Sequence, residues 1–124
     1  METLQKNDVQ SLKQIALKCA HTLDEKKAED IVLLNISEKT PMADYFLVAG
    51  AESFLQLKVL SKEIDRVMHE YGINRINPKN PFSEASWLLN DYGFIVVHLF
   101  LNEAREYYNI EKFWHDANVE FKNE

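Results

Sequence analysis

Apolar residues recur along this chain with two different periods, and the alternation between them predicts the elements. Leu12, Ile15, Ala16, Cys19 and Leu23 fall three and four residues apart, the spacing of a helix with one buried stripe. Asp8 or Ser11 is placed to cap this helix, which should run to about Leu23 with Lys13, Gln14 and Lys18 on its wet side. After a charged connection, residues 31–36 form a near-continuous apolar run, as in a strand covered on both faces. Pro41 bars a helix from the polar loop that follows. Residues 45–49 read as a second strand, introduced by Asp44 and ended by Gly50. Glu52 or Ser53 then opens a long helix to Tyr71, whose stripe is Leu57, Leu60, Ile64, Val67, Met68 and Tyr71; Gly72 is a natural left-handed stop.

The second half is busier. Residues 73–76 could make a short strand, and 77–83, with Pro78 and Pro81 among polar residues, read as a loop. Residues 87–89 and 94–100 predict two more strands, joined by Asp91-Tyr92-Gly93 as a hairpin turn. In the second of these, Phe94, Val96, His98 and Phe100 would share one face. Asn102 and Asn109 are each placed to cap a short helix. Residues 1–8 and 118–124 are expected to fray. Helices before, between and after strands need layers on a sheet, so a single α/β domain over 1–124, an α-β-α sandwich with a mixed sheet, follows. A loop as short as 91–93 makes the last two strands antiparallel.

Composition narrows the function. The net charge is -6 and the isoelectric point near 5.2, which argues against a generic nucleic-acid binder and suits a basic partner. With Cys19 as the one cysteine, no intrachain disulfide can form, and a reducing, cytoplasmic setting is expected. No secretory signal is visible and no apolar run is long enough to cross a bilayer.

Catalytic templates fit poorly. His21, His69, His98 and His115 are scattered, and His115-Asp116 is the one adjacent pair of potential metal ligands. Cys19 lies in a core stripe, and no Gly-x-Ser-x-Gly elbow occurs. The turn at Gly50-Ala51-Glu52-Ser53 stands where a helix N-terminus could hold a phosphate, but Glu52 opposes an anion and no Walker lysine follows. Asp30 and Asp44 stand alone at strand starts rather than as a magnesium-binding pair. No catalytic residue, cofactor or metal site is therefore assigned. His98 reads either as a half-buried histidine satisfied by a carbonyl or an acid, or as a contact residue.

Residues 86–117 carry both tryptophans together with Tyr92, Tyr107 and Tyr108, interleaved with Asp91, His98, Glu103, Arg105, Glu106 and Glu111. That mixture reads as a surface built to hold another macromolecule, because aromatic and arginine side chains anchor interfaces and acids steer a basic partner. At Ala43-Asp44-Tyr45-Phe46, Trp87, Asp91-Tyr92-Gly93, Val96-Val97-His98-Leu99-Phe100, Ala104-Arg105-Glu106-Tyr107-Tyr108 and on through Ala117, the chain resembles the ribosomal silencing factor (Iojap-like, RsfS) family. The resemblance implies a mixed five-stranded sheet, similar to a nucleotidyltransferase fold without that activity, and a tendency to dimerise. It implies binding to the large ribosomal subunit through its universal protein fourteen, blocking subunit joining and repressing translation when nutrients are short. Organellar relatives point to large-subunit assembly as an alternative, and a small nucleotidyltransferase-like enzyme is a further one. Carried over by position, the partner-binding residues would be Trp87, Asp91, Tyr92, His98, Phe100, Arg105, Glu106, Tyr107 and Tyr108.

The chain departs from the family pattern at three places. Leu55 stands for an arginine early in the long helix, Asn90 for a leucine before the turn, and Phe94 for an aspartate after it. The last adds an apolar group at the expected edge of the contact face.

Overall fold

Tyr45–Ala51 lies at the centre of a five-stranded sheet, and its neighbours are fixed by which residues can be buried on two faces at once. The computed structural model describes residues 9–78 and 85–123. Along the chain come α1 (Val9–Glu25), β1 (Glu29–Asn35), β2 (Tyr45–Ala51), α2 (Phe54–Glu70), β3 (Trp87–Asp91), β4 (Ile95–Leu101), α3 (Asn102–Tyr108), a 3-10 helix (Ile110–Trp114) and β5 (Asn118–Lys122). The strand order is β3-β4-β2-β1-β5. Only the β2–β4 pair is parallel; the others are antiparallel, so the sheet is mixed, as expected.

The period-two alternation sorts the strands into two faces. Ile31, Leu33, Tyr45, Leu47, Ala49, Leu88, Ile95, Val97 and Leu99 point to α1 and α2 and form the main core with their apolar stripes. Leu57, Leu60, Ile64, Val67 and Met68 of α2 are all buried there. Each such side chain contributes roughly 1.5–3 kcal/mol when fully buried. Cys19 is completely buried in this core beside Met68, and burial pushes its thiol up to about 12, which removes it from thiolate chemistry. Ser53 caps α2 by accepting a hydrogen bond from the Gln56 N–H at 3.1 Å. Gly72 takes a positive φ of 76° just past its end, as a left-handed stop requires.

The opposite face is covered by shorter pieces. Val32, Leu34, Ile36, Ala43 and Ala117 form a second, smaller cluster, with Phe46, Val96 and Trp114 packed against it. α3 and the 3-10 helix supply this layer, which completes the α-β-α arrangement.

Several expectations need correction. Residues 118–122 do not fray: Asn118–Lys122 pairs antiparallel with β1. Its short alternating segment was too polar to read as a strand, yet β1 offers an open edge that it satisfies. Residues 73–76 are not a strand. Ile76 donates one backbone hydrogen bond to Asp91 O at 2.7 Å, and Asn77 takes over the edge of β3 with its side chain. Its amide donates to Leu89 O at 2.8 Å and accepts from the Asp91 N–H at 2.9 Å. Asn102 caps nothing; it is the first residue of α3, Leu101 holds the N-cap position, and the Asn102 amide donates to Glu29 Oε1. Asn109 both closes α3, in the left-handed conformation that asparagine tolerates, and holds the N-cap position of the 3-10 helix, but without the side-chain cap bond expected of it. Phe94 precedes β4, so the strand alternation does not reach it, and it packs against the main core. The expected fraying of 1–8, the Asp8 cap and most of the 77–83 loop lie outside the described residues.

Candidate docking face

Register assembles the aromatic residues of the second half into one continuous face. On β4, Val96, His98 and Phe100 point away from the two long helices, because their neighbours Ile95, Val97 and Leu99 point into the core. Trp87 of β3 lies directly across from Phe100, and Leu89 across from His98. The indole consequently stacks on the Phe100 ring, with centroids 4.9 Å apart and an interplanar angle of 28°. From β2, Phe46 sits edge-on to His98 at 4.6 Å, and Trp114 edge-on to Phe46 at 5.4 Å. Tyr108 brings its ring to 4.9 Å from Trp87, and Tyr107 to 5.2 Å from Tyr108. Such pairs contribute beyond the area they bury.

Exposure divides this cluster into a floor and a rim. Phe100 is fully buried and His98 is 6% exposed, whereas Trp87, Tyr108 and Tyr107 are 36, 41 and 83% exposed. The floor holds the rim in place. His98 has neither the carbonyl nor the acid expected of it: the Trp87 indole N–H donates to its Nδ1 at 3.2 Å. An indole can only donate, so Nδ1 is the acceptor and the proton of the neutral ring sits on Nε2. Nε2 is buried and has no hydrogen-bond partner among the described residues. Burial holds the ring neutral by pushing its pKa down to about 4.

The other sequence-predicted residues lie around or away from this cluster. Arg105 is turned inward. Its guanidinium makes a two-bond pair with Glu111, at 3.0 and 2.9 Å, and a 3.3 Å bond to Glu29 O. With Asp30, Asn102, Glu106 and Lys122 it lines an open polar cleft of about 680 Å³ beside α3. Glu106 is exposed. Asp91 stands at the far end of the hairpin, where its carboxylate accepts from the Gly93 N–H at 2.9 Å. Tyr92 is 5% exposed and belongs to the opposite side of the sheet. Its hydroxyl donates to Asp65 of α2 at 2.5 Å and accepts from the Asn90 amide at 2.9 Å. Burial, and next the bond to Asp65, push the Tyr92 phenol upward. Asn90 is fully buried but satisfied, bonding Ser61 O at 3.0 Å while its oxygen accepts from the Ser61 hydroxyl at 2.8 Å. The Asn90 departure is thus part of a polar tie between β3 and α2, and Leu55, 71% exposed on the first turn of α2, lies outside the aromatic cluster.

Phe46 and Trp114 also belong to the face, although neither is among the residues carried over as partner-binding. Phe46 could be placed on that side of β2 by alternation, but its meeting with His98 depends on parallel pairing between β2 and β4, which no local pattern encodes. The strand-to-helix turn at Gly50 does not form a phosphate cradle. A Cβ on Gly50 would stand 2.3 Å from Asn102 Oδ1, so the glycine there admits the asparagine side chain. Among the described residues, no three His, Cys, Asp or Glu side chains are grouped to hold a metal ion.

Fold and face together define a small α/β domain with an exposed aromatic plate on the less covered side of its sheet. The family model described as "Ribosomal silencing factor during starvation", RsfS, matches residues 9–124, and the chain belongs to that family. The chain is 40% identical over 105 residues to the ribosomal silencing factor RsfS of Bacillus subtilis, covering 85% of this chain and 88% of the relative. It is 39% identical over 108 residues to that of Halalkalibacterium halodurans, covering 87 and 89%. A crystal structure of a Chromobacterium violaceum protein superposes with a TM-score of 0.75 at 30% identity, covering 87% of each chain.

Proposed function

We propose that this domain is a non-catalytic repressor that docks on the large ribosomal subunit through its universal protein fourteen and sterically blocks subunit joining. Membership of the silencing-factor family supports the ribosomal setting. The observation that carries the docking reading is the solvent-exposed rim of Trp87, Tyr107 and Tyr108 on a rigid, buried floor. Amphipathic aromatic groups on a packed support are the usual anchors of protein interfaces. Beside this rim, Glu103 and Glu106 are exposed on α3 and the whole chain carries a net charge of -6, which complements a basic ribosomal protein. In this reading Trp87, Tyr107, Tyr108 and Glu106 make the contact and Phe100 lies beneath them. Arg105 holds α3 in place, while Asp91 and Tyr92 shape the hairpin from its far end.

The test is co-sedimentation with separated ribosomal subunits, followed by a subunit-joining assay. The protein should pellet with large subunits alone and prevent them from pairing with small ones. Binding to small subunits, or binding to large subunits without any effect on joining, would refute the proposal in its repressor form.

A further inference from the structure

We propose that His98 is a positioning residue for docking: its unprotonated Nδ1 fixes the orientation of the Trp87 indole, the most central exposed anchor of the face. The inference rests on the docking reading above. Its first support is geometric. Trp87 is an edge-strand residue at the start of β3, and an exposed indole on a strand end has several rotamers to sample. Here the ring is held from two directions, by stacking on Phe100 at 4.9 Å and by the 3.2 Å hydrogen bond from its Nε1–H to His98. Stacking alone leaves the indole free to slide or turn over within its plane; a directional bond at Nε1 selects one orientation.

The second support is the state of the histidine itself. A ring that accepts at Nδ1 must be neutral and carry its proton at Nε2, and Nε2 is buried without a partner among the described residues. Leaving a buried donor unpaired is costly, and an apolar residue at this position would avoid that cost. Phe46, Phe100 and Trp87 surround the ring with aromatic groups. Among the described residues, the one polar interaction of the His98 side chain is therefore the bond that aims Trp87. Rigid anchors lose less freedom when a partner closes over them, which is how a residue that is itself 6% exposed can govern affinity.

Wild-type protein labelled with nitrogen-15 gives the direct test. A through-bond coupling between Trp87 Nε1 and His98 Nδ1, with the His98 ring in the Nε2–H tautomer, is expected; absence of the coupling, or the other tautomer, overturns the proposal. Two variants then connect geometry to docking. His98→Leu removes the acceptor, whereas the side-chain oxygen of His98→Asn can take the place of Nδ1. The Leu variant should lose the hydrogen-bond shift of the Trp87 indole proton and bind purified large subunits about five- to tenfold more weakly, the range of one neutral hydrogen bond. The Asn variant should retain both, and the Trp114 indole resonance should stay in place in either as the marker of an intact fold. Equal affinity in the Leu variant, or equal loss in both variants, overturns the positioning role. If wild-type protein ignores large subunits, the docking reading fails by itself, while the coupling still decides whether His98 holds the indole.

Discussion

The Arg105 guanidinium grips the Glu111 carboxylate through two bonds, 3.0 and 2.9 Å long, across the left-handed turn at Asn109. The pair joins α3 to the 3-10 helix and so fixes the platform from which Tyr107 and Tyr108 project. Both side chains are largely shielded, 11 and 30% exposed. Arg105→Lys keeps the charge but loses the planar fork, and should cost about 1 kcal/mol in urea unfolding. An unchanged midpoint would show that the platform does not depend on this pair.

Trp87→Ala removes the stacking partner of Phe100 and the donor to His98. Affinity for large subunits should fall by about 2 kcal/mol or more, the scale of a central aromatic anchor. A folded variant with wild-type affinity would move the docking site elsewhere.

His98 gives a pH dependence with a definite sign. Its ordinary value is 6.5, and burial lowers it to about 4 in the folded protein. The unfolded chain therefore takes up a proton in the window where the folded one does not. The stability contributed by the neutral ring is fully present above pH 6.5 and lost as the pH falls towards 4, up to about 3 kcal/mol in total. Urea titrations across that window should show wild-type stability dropping more steeply than that of His98→Phe. Parallel curves would mean that the ring is not held neutral.

Tyr92→Phe deletes the hydroxyl that joins Asp65 to Asn90. Asp65 keeps its ion pair with Arg75, so the expected loss is about 1–2 kcal/mol of stability with affinity for subunits unchanged. A stable variant that binds poorly would instead make Tyr92 a contact residue.

Glu106→Lys places a positive charge beside the aromatic rim. Weaker association is expected mainly at low ionic strength, because an exposed charge acts over a distance that salt screens. A loss that salt does not alter would assign Glu106 a structural role.

The long helices, the strands β1 to β4 and the hairpin are legible because each has a local signal, and the mixed sheet follows from their order along the chain. The stripe Leu57, Leu60, Ile64, Val67 repeats with the helical period, and Ser53 stands at its cap. Candidate contact residues were legible only as a stretch of sequence. Trp87, His98, Phe100 and Tyr108 do come together, but Tyr92 falls on the other face with Leu88 and Asn90, since alternate residues of the hairpin share a side and its parity is opposite to that of Trp87. Phe46 and Trp114 entered through pairings far apart in the chain, as did β5, whose weak intrinsic pattern is overruled by the vacant edge of β1. Asn77 stands in a stretch that the sequence presents as a plain loop, since nothing local announces an amide that imitates a strand.

That amide limits how any partner can approach. Because Asn77 occupies Leu89 O and the Asp91 N–H, and Ile76 occupies Asp91 O, the outward peptide groups at the Asp91 end of β3 are already engaged. A visiting segment cannot extend the sheet there by adding itself as a sixth strand, and recruitment of a second unfolded chain at this border is blocked by the same device. Recognition beside that end of the hairpin is consequently left to side-chain shape, which can be altered one substitution at a time without unravelling the backbone beneath.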